Sequence, residues 1–286
     1  DGALDDQKTS FFFRGLQKSS SIEDMLSYRN QLSAAGVQSM VPFFQNADRL
    51  RLLELTGNIL RSDGFNVLFR ALSNSPIKIL DCRGCGIESI DIDSEHMPRH
   101  LTVLLLNDNH IKADGCRELA KLLQGGDATL ERLHLGENNI DDEGVSILVS
   151  ALQHNVSSVK LFLANNDDIS NQGHIMLLKL VNDIASISAT LQSNHTLTVI
   201  NVRGYLCGVM LDQIQRHIHV AAQINSRHNG NPEAAGREKV IHTQLNSAKR
   251  TELADLQGVT GSVYGEINPL HLPEVLSIVG RRHGQG

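Results

Sequence analysis

The sequence predicts an α/β chain: about seven stacked strand-plus-helix units followed by a helical tail. Three observations carry this. First, "LERLHLGENNIDDEGVSILVSAL" from Leu130 lies without a gap over "LTVLLLNDNHIKADGCRELAKLL" from Leu101 and over "LRLLELTGNILRSDGFNVLFRAL" from Leu50. The shared frame is LxxLxLxxNxI, then xxxG, then xxxLxxxL, and self-similarity at a fixed period marks a repeat architecture. Second, the period changes inside each unit. LxLxx alternates at period 2, as a strand with one buried face does, and the later apolar residues recur at four, as on one stripe of a helix. Third, neither element can bury its apolar face alone, whereas stacked units can.

Unit starts fall at Ile22, Leu50, Ile77, Leu101, Leu130, Ser158 and Leu197, separated by 28, 27, 24, 29, 28 and 39 residues. The three inward strand positions of each unit are apolar in 19 of 21 cases, where the 41% hydrophobic composition alone would give about nine. Helical stripes follow at Gly64, Leu68, Leu72; at Gly115, Leu119, Leu123; and at Gly144, Leu148, Leu152. Asp63, Asp114 and Glu143 precede the glycines, where an acidic side chain suits a helix start. Between strand and helix stand Asn30, Asn58, Cys85, Asn109, Asn138, Asn166 and Tyr205. An amide at that place can satisfy the backbone groups of a buried turn.

Three units depart from the frame. The third, from Ile77 to His100, lacks the glycine and the four-spaced stripe, so "ESIDIDSEHMPRH" is expected to be a loop. The junction from fifth to sixth carries one extra residue near Asn165 to Asp168. The sixth is about 11 residues too long, and "LLKLVNDIASISATLQ" suggests an extended or doubled helix. Beyond Val202 the stripe Leu206, Met210, Ile214, Ile218, Ala221 is expected to close the open end of the core. A polar stretch, "NSRHNGNPEAAG", then reads as a linker, which divides the chain into a solenoid over 1–225 and a tail over 226–286. A helix is expected from about Arg237 and another near Leu272 to Val279.

These motifs resemble the leucine-rich repeat family in its long, ribonuclease-inhibitor-like form, over roughly residues 10 to 205. The resemblance implies a right-handed horseshoe with a parallel sheet on the concave face, helices outside, and binding of other proteins as the usual role. "FFFRGLQKSS" from Phe11 lies over "LFRALSNSP" from Leu68, and the first residue is Asp1 rather than Met, so the sequence is expected to begin inside a longer protein.

Composition excludes several functions. A net charge of -6 disfavours a partner held by neutralised phosphates, and no stretch approaches the 18 uncharged apolar residues of a membrane span. Four cysteines are too few to staple the chain, and none of the cysteine-rich caps of secreted family members is visible, so cytoplasm or nucleus is expected. Asn155-Val-Ser157 and Asn194-His-Thr196 match the glycosylation pattern, which is short enough to arise by chance. The CxxC of Cys82 and Cys85 is absorbed by the repeat, one cysteine in a Leu slot and one in the Asn slot. Gly84-Cys-Gly86 belongs to the same turn, and Asp91-Ile-Asp93-Ser-Glu95 lacks the glycine and distant Glu of a calcium loop. His217 and His219, two apart on a helix, face different directions. No nucleophile, base and orienter set emerges, so no catalytic, cofactor or metal site is assigned.

The outward strand positions supply the candidate site. One column is Leu26, Glu54, Asp81, Leu105, His134, Phe162 and Asn201; the next is Tyr28, Thr56, Arg83, Asn107, Gly136, Ala164 and Arg203. Glu54, Asp81, Arg83, Leu105, Asn107, His134, Phe162, Asn201 and Arg203 are the candidate partner-binding residues. Leu105, His134 and Phe162 are expected to form one patch, with exposed aromatic and apolar side chains as anchors. Seven strands give a face near 550 Å², under the roughly 800 Å² per partner of a standard interface, so sheet and rim loops must act together. The expected function is a non-enzymatic module binding a protein or peptide. The alternatives are a GTPase-activating regulator, with Arg83 or Arg203 stabilising a phosphoryl transition state, and the ligand-sensing region of a larger multidomain receptor.

Overall fold

The computed structural model describes residues 5–16, 19, 21–124, 129–204, 208–244 and 246–259. Seven strands form one parallel sheet in sequence order: β1 (Asp24–Leu26), β2 (Leu52–Glu54), β3 (Ile79–Asp81), β4 (Val103–Leu105), β5 (Arg132–His134), β6 (Lys160–Phe162) and β7 (Val199–Asn201). The helices are α1 (Asp6–Leu16), α2 (Ala34–Phe44), α3 (Arg61–Ala71), α4 (Ala113–Ala120), α5 (Asp142–Leu152), α6 (Asn171–Asn182), α7 (Ile187–Gln192), α8 (Val209–Arg227), α9 (Pro232–Lys239) and α10 (Ser247–Gln257). A π-helical turn, Val240–Gln244, joins the last two. Strand, turn and helix alternate through the chain, which gives the expected β-α solenoid.

One core runs the length of the stack. The inward strand residues of units two to six, from Leu53 and Leu55 to Leu161 and Leu163, are fully buried, as are Leu68, Leu119, Leu148 and Leu177 of the helices. In the sixth unit Val159, not Ser158, fills the first inward slot.

The asparagine slots form a ladder. Asn138 accepts from Ile111 N–H at 3.0 Å and donates through Nδ2 to the carbonyls of Leu106, Leu135 and Gly136. Asn58, Asn109 and Asn166 repeat the pattern, each reaching one unit back. Cys85 fills the vacancy in unit three by donating its thiol to the Leu55 carbonyl at 3.2 Å. Cys82 beside it is fully buried, and its hydrogen bond to Cys85, followed by burial, raises its pKa well above the usual thiol value. Tyr205 lies outside the described residues, as do Leu206, Cys207 and 260–286.

A second ladder was not foreseen. Asn155 donates to Leu123 O at 2.6 Å, Asn194 to Leu152 O at 2.7 Å, and Asn225 to Leu197 O at 2.7 Å, so asparagines also bridge the returns from helix to strand. Both glycosylation-pattern asparagines are therefore buried with their amide nitrogens engaged. The Ser and Thr two places on reflect turn geometry, since Asn155 Oδ1 accepts from Ser157 N–H and Asn194 Oδ1 from Thr196 N–H, both at 2.8 Å.

Unit three has no helix, and its loop is pinned by neighbours. Ser62 Oγ accepts from the N–H groups of Glu88 and Ser89, and Glu118 from that of Ile92, while Ile87, Ile90 and Ile92 plug the core. Unit six has the doubled helix, α6 and α7. The boundary expected at 225/226 falls inside α8, and the polar stretch contains α9 from Pro232, not a free linker. Asn231 caps α9 and Pro232 stands at its first turn, a start signal inside a polar run. Fully buried Lys239 then ties α9 to unit six through Val181 O and Asn194 O. Gln257 of α10 bonds Asn182 O and Ile184 N–H.

Candidate interaction surface

Strand register brings the first predicted column together: Leu26, Glu54, Asp81, Leu105, His134, Phe162 and Asn201 pair across adjacent strands. The ladder continues beyond the strands, with Gly57 N–H on Arg83 O, Gly84 N–H on Asn107 O and Asn165 N–H on Arg203 O, so the second column is aligned too. A third column, not singled out from the sequence, runs Asp24, Leu52, Ile79, Val103, Arg132, Lys160, Val199. Its charge was legible in the same alternation. It places Arg132 and Lys160 beside His134 and Phe162.

At the centre His134 stacks on Phe162, ring centroids 3.9 Å apart and planes 17° from parallel, with half-buried Leu105 in the adjoining strand. Burial first, then the charges of Arg132 and Arg83, lower the His134 pKa; Asp81 opposes them. The imidazole is thus neutral at pH 7 and stacks as an aromatic ring.

Asp81 differs from its neighbours in the column: it is 4% exposed. Its carboxylate is gripped by Arg83, with Nε at 2.9 Å from Oδ1 and Nη2 at 2.6 Å from Oδ2, and accepts from Thr56 Oγ1 at 2.9 Å. This bidentate pair raises the Arg83 pKa and fixes the guanidinium over the sheet. Asp81 therefore orients Arg83, with no oxygen facing solvent freely. Half-buried Glu54 stands in the next strand.

Asn107 lies across Gly136, where an added Cβ would sit 2.9 Å from Ala164 O and 3.0 Å from Asn107 Nδ2. Its Oδ1 is buried and, among the described residues, has no hydrogen-bond partner. Asn201 and Arg203 are exposed, with Asn201 beside Phe162 in register. They line a groove of about 1130 Å³ at the C-terminal end of the sheet, with Phe162 at its mouth and Arg216, His217, His242, Lys249 and Glu252 opposite. Glu252 sits 3.1 Å from both His217 Nε2 and Lys249 Nζ. Burial lowers the His217 pKa although Glu252 pulls it up. The far wall was not legible, because α8 and α10 follow no repeat frame. Among the described residues no group of three or more His, Cys, Asp or Glu could hold a metal ion, and no helix is long and apolar enough to cross a membrane.

Strand, asparagine turn and helix recur in register around one core, a β-α solenoid similar to the ribonuclease-inhibitor-like leucine-rich repeat proteins. The family description "Leucine Rich repeat" matches residues 98–120 and 126–149. Ribonuclease inhibitor of Sus scrofa is 27% identical over 177 residues, covering 57% of this chain and 37% of the relative. Ribonuclease inhibitor of Mus musculus is 26% identical over 175 residues, covering 56% and 36%. NACHT, LRR and PYD domains-containing protein 13 of Homo sapiens is 27% identical over 156 residues, covering 50% and 14%. The chain spans little more than a third of the inhibitors and about a seventh of the human protein.

Proposed function

We propose that the chain is a protein-interaction module whose partner, a protein or peptide, seats on the concave face at the Leu105, His134 and Phe162 patch. The observation that carries this is the stacked His134 and Phe162 pair at the centre of the sheet, flanked by Arg132, Lys160 and the fixed Arg83. An aromatic anchor ringed by cations suits a partner presenting an apolar side chain among acidic ones. Rim loops extend the contact, since the sheet face alone falls short of a standard interface.

The test compares wild-type chain with Phe162→Glu and Leu105→Glu in crosslinking and affinity capture from cells. Both positions face outward, so folding should survive. Loss of the same captured protein in both variants supports the patch, and unchanged capture overturns it. Similarity to two ribonuclease inhibitors makes ribonucleases the first purified partners to try, with inhibition of cleavage as the readout.

The partial match to a NACHT- and LRR-containing protein supports a second reading, that these repeats are the sensing region of a multidomain receptor. A full-length transcript encoding a NACHT domain upstream would establish it. GTPase activation gains no comparable support, because Arg83 already holds Asp81.

A further inference from the structure

The solenoid ends on an unpaired strand. β7 pairs with β6 and, among the described residues, with no other strand. In the preceding units the equivalent backbone groups bond forward: Leu135 N–H to Phe162 O and Leu163 N–H to Asn201 O. The corresponding Val202 N–H donates to no carbonyl among the described residues.

The core is also less sealed here. Ile200 and Val202 are 9% and 5% exposed, against 0% for Leu161 and Leu163 one strand earlier. α8 touches this edge, with Gln215 Nε2 3.5 Å from Val202 O, while His242 of the π turn and Lys249 and Glu252 of α10 complete the 1130 Å³ groove, which five consecutive residues from Val199 to Arg203 line. That volume exceeds the range of about 300–1,000 Å³ typical of small-molecule pockets. An open strand edge beside such a groove is the setting in which an extended peptide adds as a further strand.

Charge narrows the occupant. Glu252 is occupied by Lys249 and His217, whereas no ionic partner of Arg203 or Arg216 occurs among the described residues. In a parallel eighth strand, residues opposite Val199, Asn201 and Arg203 would share the concave face, and those opposite Ile200 and Val202 would point into the core. Opposite charges placed across neighbouring strands attract. We propose that the β7 edge and its groove bind an extended, alternating acidic and apolar segment of a partner protein as an eighth parallel strand, with acidic side chains toward Arg203 and Arg216 and apolar ones over Ile200 and Val202. This rests on the reading of the chain as an interaction module, but not on the central patch.

The probe is a fluorescein-labelled heptapeptide, Glu-Val-Glu-Val-Glu-Val-Glu, titrated with the whole chain by fluorescence anisotropy. Saturable binding is expected, with protection of the Val202 amide from hydrogen exchange. A copy N-methylated at alternate amides should bind wild-type chain at least about tenfold more weakly, as should the parent peptide with R203E/R216E. Leu105→Glu should leave binding unchanged, which separates this edge from the concave patch. Equal binding of the methylated copy, or no saturation up to about 1 mM, overturns the proposal. Self-association of the chain that is lost in R203E/R216E would overturn it as well, by assigning the edge to a second copy.

Discussion

Units four and five, from Leu101 to Leu152, repeat one solution: a Leu column, an asparagine rung and a helix lying close on its neighbour. The C-terminal end, from Asn182 onward, uses a different set of contacts. There Lys239 donates to Val181 O, Asn194 O and His195 Nδ1; Gln244 reaches Ile184 O and Thr190; Gln257 spans Asn182 and Ile184. In the middle each contact is repeated in the next unit, so apolar area dominates. At the end each polar contact occurs once, and the apolar cluster beneath it is small: Ile187 and Val240 with Leu191 and Ile241. Hydrophobic burial is insensitive to pH, whereas buried Lys and His are not, so the two regions should fail under different stresses.

The largest effect is expected from Leu133→Ala. Leu133 is 0% exposed between Leu104 and Leu161, with no route for the stack to collapse onto the void. The loss should approach about 5 kcal/mol in urea unfolding. Ile200→Ala, at the open edge, should cost clearly less; equal costs would mean that the two regions are sealed alike.

Next is Asn138→Ala, which leaves Ile111 N–H without its acceptor and removes one of two donors from the carbonyls of Leu106, Leu135 and Gly136, which keep Asn109, Asn166 and Asp108 N–H respectively. One orphaned buried N–H and three weakened carbonyls predict a loss of up to about 3 kcal/mol. Asn138→Asp is a further check: it keeps an acceptor for Ile111 N–H but buries a carboxylate against three carbonyl oxygens, so a milder loss than for Ala would contradict the donor half of the ladder.

The third test uses pH and acts only on the C-terminal end. His195 is pushed down to about 4 by burial and by Lys239, and Lys239 is pushed down to about 7 by burial. Leu191 O faces His195 Nε2 at 3.0 Å and can only accept, so Nε2 carries the hydrogen and Nδ1 accepts from Lys239. Both pKa values lie below their unfolded ones, so the undocked tail binds more protons. The His195 contribution is complete above pH 6.5 and is lost as pH falls toward 4, about 3 kcal/mol in all. The Lys239 contribution grows from pH 7 toward 10.5. Protection factors, corrected for the intrinsic exchange rate at each pH, should therefore fall in α9 and α10 on acidification while those of α4 and α5 hold. Lys239→Met should abolish the alkaline part of the dependence, and a flat profile in the wild-type chain would refute this account.

The same contrast explains what was legible. Units four and five could be read directly, because every Leu column and asparagine rung recurs, and the central row of the candidate site followed from period-2 alternation. The pairing of Asp81, a candidate partner-binding residue, needed the structure: an acid and an arginine two apart on one strand face meet, and Asp81 is buried in that pair. The Asn155 and Asn194 ladder was hidden inside a pattern that equally matches a modification signal. The groove was invisible, since Arg203, Arg216 and Glu252 line it from elements that share no period.

The smallest effect concerns the backbone beside each rung. The residue before the asparagine slot adopts positive φ in six units: Arg29 at 52°, Gly57 at 71°, Gly84 at 61°, Asp108 at 56°, Glu137 at 55° and Asn165 at 61°. Gly, Asp and Asn tolerate this region, whereas a long side chain there costs roughly 1–2 kcal/mol. Glycine at such a position removes the steric cost but enlarges the freedom of the unfolded chain, so the gain is partial. Glu137→Gly should stabilise by up to about 1 kcal/mol, and the same change at exposed Ser146 within α5 should destabilise by a similar amount. If both changes destabilised equally, the turn conformation would not be what sets the residue preference at position 137.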